Sequence, residues 1–86
     1  MLSCKSGVVH VLVIGYNTSL SKAVNVANFI ANTVQSDKCV LLHCQDMAAG
    51  HIITDLLPGA GLVEASDDSA LEDWYRSSII LDINDF

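Results

Sequence analysis

The feature that most constrains this chain is a pair of short apolar runs flanking one helical period. Val8-Val9-His10-Val11-Leu12-Val13-Ile14 is rich in β-branched residues and almost continuously apolar. That composition suits a strand covered on both faces. Gly15-Tyr16-Asn17-Thr18 turns the chain, and Asn17 or Ser19 is placed to cap a helix by accepting from its free N–H groups. Leu20, Ala23, Val24, Ala27, Ile30, Ala31 and Val34 then form a stripe at helical spacing, with Lys22, Asn25, Asn28, Asn32 and Gln35 opposite. A helix patterned this way lies on a sheet. Ser36-Asp37 ends it, and Cys39 to His43 reads as a second buried strand. Strand, helix and strand of these lengths make a parallel crossover, almost always right-handed.

The second half is less periodic. Met47 to Leu57 suits a helix, which Pro58-Gly59-Ala60-Gly61 stops. Leu62 to Ala65 reads as a short third strand. Asp67 or Asp68 is placed to cap a helix through Ala70, Leu71 and Trp74-Tyr75, and Ile79 to Ile83 reads as the last strand. The predicted fold is one α/β domain over residues 1–86. It is a small three-layer sandwich, with a mostly parallel three- to four-stranded sheet and helices on both faces.

Composition bounds the function. The 86 residues are 51% hydrophobic and 16% charged, and the mean hydropathy is positive. That is more apolar side chain than so small a globule buries, so self-association or a partner subunit is expected. Ten carboxylates against four basic residues leave a net charge of −6. Lys5, Lys22, Lys38 and Arg76 cannot build a phosphate-binding groove, so direct nucleic-acid contact is not expected. No apolar run is long enough to span a bilayer. Three cysteines, an odd number without the spacing of a disulfide framework, lead to the expectation of a reducing cytoplasm.

The sharpest chemical candidate is Cys44, at the carboxyl end of the second predicted strand. A thiol there, ahead of a helix N-terminus, is a position where pKa can be depressed, and ligands gather at that end of parallel sheets. Free Cys is also among the most buried residue types, and no cation is close to Cys44 in sequence. The stretch His43-Cys44 resembles a phosphatase loop, H-C-x-x-G-x-x-R, but Met47 replaces its Gly and Gly50 its Arg. Without the Arg, phosphate and thiolate both lose their main electrostatic support. Gly15 to Lys22 lacks the second Gly of a phosphate-binding loop. His10, His43 and His51 with Cys39 and Cys44 do not make a metal site either. No C-x2-C pair exists, and strand alternation sends Cys39 and Cys44 to opposite faces. Trp74-Tyr75 reads as a packing or subunit contact. No cofactor or metal is implied.

One resemblance runs along the chain. VHVLVIGYNT near its start, a helix ending in SDKCVLLHCQD, then LVEASDDSALEDWY and finally IILDINDF follow one another. This order is similar to the DsrE/DsrF/DsrH group of small sulfur-relay proteins, and within it to the DsrH/TusB branch. Asp37, Leu41, Leu42, Gln45 and Asp46 match the branch's second strand end. Ala65, Asp67, Asp68 and Leu71 match its acidic turn, and Ile80, Leu81, Asp82 and Phe86 its final segment. Met47-Ala48 and Glu72-Asp73-Trp74 depart from the pattern. Family members that carry sulfur as a persulfide hold a Cys ahead of the acidic turn or in the first helix. Here Ala65-Ser66 stand at the first place, and Ser21 to Gln35 contain no Cys. The resemblance therefore implies a non-catalytic, cytoplasmic subunit of a sulfur-relay complex, serving tRNA 2-thiouridine modification or sulfur oxidation beside DsrE/DsrF-like subunits. Two alternatives stay open: a sulfurtransferase with Cys44 as persulfide carrier beside His43 or His51, and a homo-oligomeric α/β module.

Overall fold

The structure is a computed structural model, and it describes residues 7–16, 19–35, 37–63, 77 and 79–86. Strand β1 (Val8–Ile14), helix α1 (Leu20–Thr33), strand β2 (Cys39–Cys44), helix α2 (Met47–Leu56), strand β3 (Gly61–Val63) and strand β4 (Ile79–Asp82) follow in order, and a 3₁₀ turn covers Ile83–Asp85. The strands form one sheet in the order β3-β2-β1-β4. Every pairing is parallel: Val11 lies beside Leu42 and Ile79, Val13 beside Cys44 and Leu81, and Leu42 beside Leu62. The predicted α/β class and parallel sheet are found.

Because alternate residues of a strand face opposite ways, this register sorts the sheet into two faces. Val9, Val11, Val13, Val40, Leu42, Cys44, Leu62, Ile79 and Leu81 share the first. They join one core with Ala23, Val26, Ala27 and Ile30 of α1 and Ala49 and Ile53 of α2. Both described helices therefore pack on the same face. Leu12, Cys39 and His43 are buried on the second face. The helix expected there, from Asp67 or Asp68 through Tyr75, lies outside the described residues, as do Glu64 and Ala65 of the predicted third strand.

Local details follow the residue types. Ser19 caps α1, its Oγ accepting from the Lys22 N–H at 3.2 Å, while Asn17 lies outside the described residues. The buried side of α1 is narrower than the apolar stripe suggests. Leu20 and Ala31 are exposed, whereas Val26 is fully buried. The stripe is wider than the buried face because only Ala23, Val26, Ala27 and Ile30 of α1 reach the core, where the helix packs along α2 as well as over the sheet. Deleting a fully buried Ile such as Ile30 or Ile53 from a core like this one costs about 2–5 kcal/mol.

Candidate functional site

In an open parallel sheet, ligands collect beyond the carboxyl ends of the strands, where the winding direction reverses. In the order β3-β2-β1-β4 that point lies between β1 and β4. Gly15 leaves β1 there with φ +101°, a left-handed conformation that a side chain would strain. A Cβ on Gly15 would come within 2.8 Å of Ile83 Cγ2, 3.1 Å of Asn84 Nδ2 and 3.3 Å of Asp82 Oδ1. The 3₁₀ turn thus fills the switch point. Asp82 Oδ1 accepts from the Asn84 N–H at 2.9 Å, and Lys22 Nζ donates to the Asn84 carbonyl at 3.4 Å. Gln45 closes the other side: its backbone N–H donates to the Val13 carbonyl at 3.1 Å, and its Oε1 accepts from the Gly15 N–H at 2.8 Å. These groups hold two loops together.

Cys44 sits next to this closure, on the helix-covered face. It is free and 2% exposed. Gly50 of α2 lies over it, so that a Cβ there would stand 3.2 Å from Cys44 Cβ and 3.3 Å from Sγ. Burial pushes the thiol up to about 12, and the negative charge of Asp46 adds to the effect. The N-terminus of α2 offers donors that could favour a thiolate. Asp46 takes them: its Oδ1 accepts from the Ala48 and Ala49 N–H groups at 3.0 and 3.4 Å. The one catalytic candidate read from the sequence is thus sealed and protonated at neutral pH.

The neighbouring imidazoles are not arranged to change that. His43 precedes Cys44 on the strand and so faces the second side of the sheet, where its ring stacks on His10 at 5.7 Å between centroids and His10 Nδ1 lies 3.5 Å from His43 Nε2. His51 is exposed on α2. Cys39 stands on the face opposite Cys44, as alternation requires, and among the described residues no group of three His, Cys, Asp or Glu side chains could hold a metal ion. Cys39 is disulfide-bonded. This differs from the reduced thiols expected from an odd count, because pairing depends on which chains meet in space and not on sequence spacing.

A separate cavity of about 370 Å³ opens at the amino ends of the strands, among Ile30, Val34, Lys38, Val40, Leu57 and Ala60. It shares no residue with the closure around Cys44. The roles of Gly50, Asp46 and Gln45 were not anticipated. Only Asp46 carried a local sign, as a capping residue type just before a helical run. Trp74 and Tyr75 lie outside the described residues, as do Asp67, Asp68 and Leu71 of the acidic turn. No helix of the described residues is long and apolar enough to cross a membrane. No protein-family model, curated protein or solved structure matches the chain.

Proposed function

We propose that this chain is a non-catalytic subunit of an intracellular sulfur-relay complex, serving tRNA 2-thiouridine modification or sulfur oxidation. The observation that carries the reading is Cys44, a free thiol closed over by Gly50 and held protonated beside the Asp46 cap. A persulfide carrier must present a thiolate to a donor and then to an acceptor, and Cys44 is built for neither. The motif order along the chain supplies the pathway, and the apolar composition supports assembly with other subunits. In such a complex the sulfur-carrying Cys belongs to a DsrE/DsrF-like partner, and this chain contributes interface.

Co-expression with DsrE- and DsrF-like subunits tests the reading. A stable complex whose sulfur transfer survives Cys44→Ala is the expected result. The competing reading, a sulfurtransferase using Cys44, requires that the isolated chain take up a persulfide at Cys44 and lose transfer on the same substitution. That outcome would overturn the subunit role.

A further inference from the structure

The cavity at the amino ends of the strands carries a further inference. Two helices stop short beside it. At Val34 α1 gives way to extended backbone (φ −90°, ψ 133°), and α2 does so at Leu57 (φ −118°, ψ 91°). Pro58 and Gly59 then turn the chain, Gly59 with φ +85°, so neither helix reaches over the start of β2. The gap left there, about 370 Å³, is bounded by Ile30, Val34, Val40, Leu57 and Ala60. Small-molecule sites have walls of this kind, mostly apolar with a few polar groups to orient the ligand. The polar groups here are of one type. Lys38 is the only charged side chain among the described residues lining the cavity, and Gln35 adds an amide.

We infer that this cavity binds a small amphiphilic anion, an apolar chain of roughly eight to ten carbons bearing one carboxylate. The tail displaces water from Ile30, Val40 and Leu57, and the head group stays at the mouth with the Lys38 ammonium. Charge selects this class. The chain holds ten carboxylates and four basic residues, yet the described wall presents an ammonium and no carboxylate. The carbonyl ends of α1 and α2 oppose an anion, with about half a charge each. Some of those carbonyls are already taken: Ile30 accepts from the Val34 N–H at 2.9 Å, and Thr54 from the Leu57 N–H at 3.3 Å. Lys38 carries a full charge on a flexible stem, and it can meet the head group beyond the last helical turn, where the helix field has faded. The site stands apart from the Cys44 closure, and the inference does not depend on the subunit reading.

Decanoate, titrated into the full chain at submillimolar concentration and followed by amide NMR, tests it. Saturable shifts at Ile30, Val34, Leu57 and Ala60 are expected. Decylammonium, with the same tail and the opposite charge, should bind at least about fivefold more weakly. Lys38→Gln should weaken decanoate by roughly fivefold and erase the preference over decylammonium. Ala60→Leu, which fills the gap, should abolish the saturable shifts. If Ala60→Leu fails to fold by circular dichroism, Ala31→Leu takes its place, at an exposed helical position lining the same cavity. Absence of saturable binding, shifts confined to other parts of the chain, or decanoate binding indifferent to Lys38→Gln would overturn the inference. Decylammonium binding as tightly as decanoate would overturn it too.

Discussion

Gly50 is the lid of Cys44: with no Cβ, α2 descends until a methyl at that position would touch Cys44 Cβ at 3.2 Å and Leu62 Cδ1 at 2.9 Å. Overpacking a core costs about 1–3 kcal/mol, against about 1 kcal/mol gained from the helix propensity of Ala. Leu62 can swing its Cδ1 aside, but Cys44 Cβ is fixed to the strand backbone. Gly50→Ala should therefore destabilise the fold by roughly 1 kcal/mol in urea titrations. Cys44→Ala removes Sγ, 3.3 Å from the new methyl, but keeps Cβ, so the double variant should recover only the Sγ share of the loss, and Cys44→Gly should recover more.

The buried thiol gives stability an alkaline limit. In the unfolded chain it ionises near its ordinary 9.0, whereas in the fold it keeps its proton up to about 12. The folded state binds the extra proton between these values, so stability is fully present below about pH 9 and falls as pH rises toward about 12. Every other ionisable group is common to the wild type and a Cys44 variant. The measurement is therefore the difference between the wild type and Cys44→Ala, which should be flat up to about pH 9 and then move against the wild type.

Asp46→Asn separates the two causes of that shift. Asn still caps α2 through its side-chain oxygen, while the charge beside Cys44 disappears. The thiol pKa, followed by ultraviolet thiolate absorbance, should fall below about 12 yet stay above 9.0, because burial is the larger cause. A return to the ordinary value would show that charge, not burial, protects the proton.

Gly15 joins backbone strain to close packing. Gly15→Ala forces a side chain into φ +101° and against Ile83 Cγ2 at 2.8 Å. A loss of about 2–4 kcal/mol is expected. Gln45→Ala removes the acceptor of the Gly15 N–H and should cost about 1 kcal/mol. Thermal melts of the two variants should rank in that order.

The disulfide at Cys39 is read by counting thiols. Denatured without reductant, the chain should take up fewer than three iodoacetamide groups by intact mass, and three after reduction. Three in both cases would mean reduced thiols throughout, the state expected of a reducing cytoplasm.

Much of the scaffold was legible because periodicity is local. The alternating faces of Val9, Val11 and Val13, the spacing of Ala23, Ala27 and Ile30, and the Ser19 cap each depend on neighbours within a few residues. From them follow β1, α1, β2 and the parallel class. The reactivity of Cys44 had no local answer. It was decided by the burial that Gly50 completes and by Asp46 just ahead of α2, since a thiol's pKa reports the polarity and charge gathered around it in space. The switch point is likewise plugged by Ile83 and Asn84, far in sequence from the Gly15 they press upon. Among the described residues, sequence alone determined which segments are strand and helix, except that Ile83 leaves the last strand for a 3₁₀ turn; the folded chain decided whether a promising thiol meets water or a wall.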